Sequence, residues 1–213
     1  MKFSKLKALG LGAGLFVAVY FPAFIATALV RPRIELGIAL IIAITLLIAI
    51  LLVFLLARTR GGFAEFGFRI PSSRYVVVAL ASGLVLGVVA AFLNHLFPSK
   101  PPFDVSGFGP WKIWLYFVVG ASIQEEVIFR GLIQSMVEKR WAAIFSICGA
   151  SISGAVAFTA VLFGLVHLEV GLLVAVGAIM LGLAAGELRR RSGSLLPAII
   201  VHALFNCADA VQR

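Results

Sequence analysis

The sequence predicts an all-α, polytopic transmembrane helix bundle of about seven spans (six to eight), and three observations carry that reading. Of 213 residues, 62% are hydrophobic and only 13% are charged, whereas soluble domains are about half apolar and about a quarter charged. The apolar residues fall in runs of about 20, long enough to cross a bilayer as helices. No alternating ten-residue pattern of the barrel kind occurs. Lipid offers no hydrogen bonds, so each span must satisfy its own backbone, which leaves helices. A single integral membrane domain is expected over residues 1–213.

Span one is expected over residues 8–30, behind Met1, Lys2, Lys5 and Lys7. A basic start before an apolar run resembles a signal peptide, but this run is longer than a typical one. It is read as a retained span, kinked at Pro22. Arg31-Pro32-Arg33 forms a polar turn, and span two follows over 34–57, rich in Ile and Leu. A basic loop with Arg58, Arg60, Arg69 and Arg74 leads to span three at 75–97. Residues 98–110 are a Pro/Gly-rich connector. Span four starts near Trp111 and Trp114, aromatics suited to the membrane interface, and ends near Lys139 and Arg140. Span five is expected over 142–168, span six over 170–188 and span seven over 195–211, the last two separated by Arg189-Arg190-Arg191 and a Ser-Gly-Ser turn. Gly182 and Gly186 have the small-xxx-small spacing that lets helices approach closely. Phe158, Phe163 and Phe205 are read first as packing residues.

The net charge of +9 does not point to nucleic acid, because the basic residues sit at span ends. That is the positive-inside pattern. With the N-terminus in the cytoplasm, the inner side collects Lys2, Lys5, Lys7, Arg58, Arg60, Arg69, Arg74, Lys139, Arg140 and Arg189–Arg191. The outer side receives Arg31, Arg33, Lys100, Lys112 and Arg213. The expected partner is therefore the lipid bilayer of the cell membrane, with the N-terminus cytoplasmic and no nucleic acid. The two cysteines, Cys148 and Cys207, lie in apolar surroundings without a CxxC or zinc-type spacing, and read as small buried residues.

Against this background three charges within six residues stand out: Glu125, Glu126 and Arg130, inside span four. A charged side chain at mid-bilayer is costly, by estimates from about 2.5 to over 10 kcal/mol, and such residues mark functional sites. Glu126 and Arg130 are spaced i,i+4, share a helix face and can pair. Glu125 is turned roughly 100° away, free to face a cavity. A salt bridge holding the bundle together would explain Glu126 and Arg130 but leaves Glu125 without a partner.

Two further elements follow. Phe163 and His167 lie near the end of span five, and His202 and Asn206, again i,i+4, lie on span seven. His95, beside Asn94 at the end of span three, is read as an interface residue. Glu125, His167, His202 and Asn206 together contain what amide hydrolysis needs. Glu125 can take a proton from water with His167 sharing the task, while His202 and Asn206 donate to the developing oxyanion. The same residues permit another reading, in which Glu125, His167 and His202 bind a divalent metal such as zinc. Sequence leaves the two open.

The ordered motifs EExxxR (Glu125, Glu126, Arg130), FxxxH (Phe163, His167) and HxxxN (His202, Asn206) resemble those of the CPBP family. That family comprises the type II CAAX prenyl endopeptidases, also called the Abi family, and bacterial relatives linked to bacteriocin processing and self-immunity. The resemblance covers roughly residues 111–210, the expected catalytic core. It implies an intramembrane endopeptidase in which Glu125 and His167 activate water, His202 and Asn206 form the oxyanion site, and Glu126, Arg130 and Phe163 support them. Family members are described both as metalloproteases and as metal-free glutamate enzymes, and both possibilities carry over. The chain's size suits a prokaryotic member acting on a peptide or a membrane protein, lipidated or not. Two other classes compete: a non-catalytic membrane immunity or scaffold protein, and a proton-coupled transporter using the same acids and histidines as a relay.

Overall fold

The computed structural model describes residues 2–30, 33–59, 61–97, 107–141, 144–147 and 150–210. The fold is an all-α bundle. Helix α1 (Lys2–Leu29) runs through Pro22, α2 is Ile34–Arg58 and α3 is Ser73–Leu96. A 3₁₀ turn, Phe63–Phe66, sits in the loop before α3. Next comes α4, a continuous helical rod over residues 110–138, followed by α5 (Gly154–Val166), α6 (Leu172–Ser192) and α7 (Leu196–Ala210). Four helices are long and apolar enough to cross a membrane: α1 from Lys5, α2, α3 and α6. The shorter α5 and α7 are also apolar. Inside the bundle α3 packs along α7, and α5 along α6.

One expected span is shorter than its apolar run. Residues 142–168 do not form one helix: β1 (Ile144–Ile147) pairs antiparallel with β2 (Ala150–Ser153), and the helix begins only at Gly154. The segment is β-prone, with Ile144, Phe145, Ile147 and Ile152, and a short apolar run cannot be told from a helix by hydrophobicity alone. Ser153 makes the transition, its Oγ accepting the Val156 N–H at 3.1 Å as an N-cap. The expected turn at Arg31-Pro32, most of the connector (98–106, with Lys100), and Arg60, Cys148, Gly149, Val211 and Arg213 lie outside the described residues.

Polar contacts tie together the helix ends on the N-terminal side of the bundle. Lys139 pairs with Glu65. Arg189 donates to the Glu65 carbonyl at 2.8 Å and to Ser135 Oγ at 3.2 Å. Arg69 donates to the Ser192 carbonyl at 2.9 Å, and the Leu195 N–H to the Gly67 carbonyl at 2.9 Å. Gly193 ends α6 in the left-handed region (φ 68°), where a glycine has no Cβ to clash. At the opposite end Lys112 pairs with Glu35 at 2.8 Å, and the Tyr116 hydroxyl donates to the same carboxylate at 3.3 Å. These contacts set the C-terminal ends of α4 and α6 beside the start of α7 at one end of the bundle, and the N-terminal ends of α2 and α4 together at the other.

The rod α4 is wound unevenly. Wide π-type turns occupy Trp114–Gly120 and Val127–Gln134, and between them lies the α-helical segment Ala121–Glu126. Departures of this kind re-aim side chains and recur at functional sites. Below the second acid, residues 127–137 are buried without exception, and an aromatic cluster of Phe16, Tyr20, Phe129 and Phe163 packs against them.

Candidate active site

Glu126 and Arg130 are both fully buried, and Arg130 Nη1 donates to Glu126 Oε1 at 2.8 Å across one helical turn. The same oxygen accepts from His202 Nδ1 at 2.8 Å, a bond from α4 to α7. The guanidinium also lies over the rings of Phe163, at 4.8 Å, and Phe129, at 5.8 Å. A cation held over aromatic faces gains electrostatic attraction where water is excluded. The i,i+4 pair expected from sequence is therefore present, but it is one edge of a network that includes a third helix.

Close helix packing makes room for this network. A Cβ on Gly182 of α6 would stand 2.9 Å from the Ala160 Cα and 3.2 Å from Arg130 Nη2. Glycine here lets α5 and α6 meet beside the buried arginine. Gly182→Val is expected to cost about 1–3 kcal/mol through overpacking, read as a lower thermal-unfolding midpoint of the purified protein in detergent.

Glu125 points elsewhere. Its side chain is 18% exposed, and its Oε2 is 3.6 Å from His202 Nε2. Because Glu126 only accepts, His202 Nδ1 must carry the hydrogen of that bond, which leaves Nε2 to face Glu125. His167 lies immediately past the end of α5, its Nδ1 2.8 Å from the Phe163 carbonyl. The same reasoning gives Nδ1–H as donor and frees Nε2 in the neutral ring. The Phe163 ring lies edge-on to both imidazoles, with centroids 4.6 Å from His167 and 5.7 Å from His202. Asn206 departs from expectation: its Nδ2 donates to the Phe117 carbonyl at 2.8 Å and to Ser122 Oγ at 3.3 Å, so its amide hydrogens are already engaged.

Glu125, His167, His202 and Asn206 all line one cavity of about 720 Å³, with Phe163 and Phe205 in its wall. Phe158 instead packs against the core. Three polar residues that sequence reasoning missed also line it or support it: Tyr20 and Gln124, whose Nε2 lies 3.4 Å from the Tyr20 hydroxyl, and Ser122 beneath Asn206. Gln124 adjoins the two acids and was open to notice. Tyr20 sits in an apolar run with nothing to mark it. His95 is exposed at the end of α3.

The residues do not fit the metal reading. Among the described residues no group of three or more His, Cys, Asp or Glu side chains is placed to hold a metal ion. Glu125, His167 and His202 thus border the same space without converging as ligands.

Residues 107–208 match the family described as type II CAAX prenyl endopeptidase Rce1-like. No curated protein and no solved structure matches the chain.

Proposed function

Because residues 107–208 match the type II CAAX prenyl endopeptidase Rce1-like family in a chain of apolar helices, we propose that this chain is an integral membrane protease that hydrolyses a peptide bond inside the membrane with water activated by Glu125. The observation that carries the proposal is the shared cavity: Glu125, His167 and His202 border one space, backed by the buried Glu126–Arg130–His202 network.

Glu125 takes a proton from water as the water oxygen attacks the scissile carbonyl carbon. His167 Nε2, unencumbered because Nδ1–H is held by the Phe163 carbonyl, is the second acceptor. The new C–O bond moves an electron pair onto the carbonyl oxygen. In its doubly protonated form His202 donates Nδ1–H to Glu126 and Nε2–H to that oxyanion, a donor held in place before the reaction starts. Asn206 is the second donor, exchanging its longer bond, to Ser122, for the oxyanion. The C–N bond then breaks, and the proton held by Glu125 passes to the leaving amine. Carboxylic acid and amine leave, and Glu125 is again a carboxylate. Glu126 and Arg130 act through His202 and are positioning residues.

The test uses purified protein in liposomes with a peptide library, with and without a chelator. Cleavage that persists in chelator supports the metal-free route, and loss of cleavage that added zinc restores overturns it. Asn206→Ala is expected to lower kcat by about 10²–10³ with little change in KM, as for loss of one oxyanion donor, read from steady-state rates on one library substrate. Equal kcat would remove Asn206 from the oxyanion role.

A further inference from the structure

The cavity occupies only one half of the bundle. On α1 its wall is Phe16 to Thr27, on α2 Ile38 to Ile42, on α3 Leu86 to Asn94 and on α4 Ile113 to Glu125. The remaining wall is the C-terminal end of α5, the turn holding Glu169, the N-terminal half of α6 and the C-terminal half of α7. Helices alternate in direction, so every one of these segments lies on the side away from the N-terminus. That side is identified by the Lys112–Glu35 pair.

The polar rim lies there too. Glu169, exposed in the turn between α5 and α6, and Asn94, near the end of α3, both border the cavity. An exposed carboxylate requires water, so the aqueous mouth is at this end. Access from the other end is closed, because residues 127–137 below Glu126 are buried throughout. Glu125 therefore forms the floor of a well with one wet opening.

The opposite end carries the basic residues. Lys5 stands over Trp141, Arg58 ends α2, Lys139 and Arg140 follow directly on α4, and Arg189–Arg191 fill the last turn of α6. Among the described residues the cavity end has Arg33 and Lys112. An excess of Lys and Arg marks the cytoplasmic side of a membrane protein.

Joining the two, we propose that the active-site cavity opens to the extracytoplasmic face of the membrane. Resting on the peptidase reading, this assigns the substrate class: a peptide or membrane-protein segment presented outside the cytoplasm, not the tail of a cytosolic protein. The bilayer and the buried lower half of α4 separate Glu125 from cytosolic chains.

The experiment uses the full-length chain in bacterial spheroplasts, with Cys148→Ser and Cys207→Ser removing native thiols. Single cysteines are introduced as Glu169→Cys at the rim and Thr59→Cys at the basic end, where Thr59 is exposed just past α2. A membrane-impermeant maleimide is applied before and after permeabilisation. The expected result is labelling of Glu169→Cys in intact spheroplasts and of Thr59→Cys only after permeabilisation. The reverse pattern, or a Glu169→Cys that is protected until permeabilisation, overturns the proposal. A second measurement adds an impermeant library peptide to right-side-out and inside-out vesicles of the unsubstituted protein. Cleavage confined to right-side-out vesicles supports the assignment, and cleavage confined to inside-out vesicles overturns it. If neither cleaves, the peptidase reading fails while maleimide labelling still decides which face the cavity opens on.

Discussion

Glu125→Gln is expected to lower the rate of peptide cleavage by about 10²–10⁴-fold, the usual contribution of a positioned general base. The substitution keeps the shape of the side chain and removes its capacity to take a proton from water. It also removes the charge facing His202 Nε2 at 3.6 Å. The fold should tolerate it, because Glu125 is partly exposed to the cavity and the buried arginine pairs with Glu126 instead. Steady-state kinetics in liposomes measures the loss, and an unchanged thermal-unfolding midpoint in detergent separates it from misfolding. If wild type and variant cleave alike, Glu125 is not the base. If biological activity survives without cleavage, the scaffold reading gains.

Arg130→Met is expected to be the most destabilising single change at the site, by about 3–5 kcal/mol, because it leaves a buried carboxylate uncompensated. Glu126 is fully buried, and its remaining partner would be His202 Nδ1 at 2.8 Å. Methionine fills much of the arginine's apolar volume, so the loss reports the charge more than a cavity. The double variant Glu126→Gln/Arg130→Met should recover part of the loss, since no isolated charge remains in the core. Thermal unfolding in detergent of the wild type, the two single variants Glu126→Gln and Arg130→Met, and the double variant measures the coupling. Equal destabilisation of single and double variants would mean that the pair acts through packing alone.

Legibility in the sequence followed the range of the interactions involved. The Glu126–Arg130 pair was readable because both residues lie on one turn of one helix, where spacing alone implies contact. The helical class was readable because an apolar chain in lipid has few ways to satisfy its backbone. The hairpin at residues 144–153 was not readable: its Ile, Phe and Ser residues are apolar enough to pass for a span, and strand pairing is settled by a partner segment. Nor were the roles of Tyr20 and Ser122 accessible. Tyr20 comes from α1 to meet Gln124 of α4, and Ser122 of α4 meets Asn206 of α7.

By itself the chain's sequence determined that it folds as membrane-suited helices, that basic residues gather at one set of span ends, and that three acid- or histidine-bearing motifs interrupt the apolar runs. These are properties of composition and of residues within a helical turn. The tertiary structure alone decided that His202 turns Nδ1 to Glu126 and Nε2 to Glu125, that Asn206 is tied to Phe117 and Ser122, and that the cavity ends at Glu125. Those outcomes depend on how α4, α5 and α7 cross and rotate against one another. Helix rotation is set by side-chain packing among residues far apart in the chain, which spacing within any one segment does not encode.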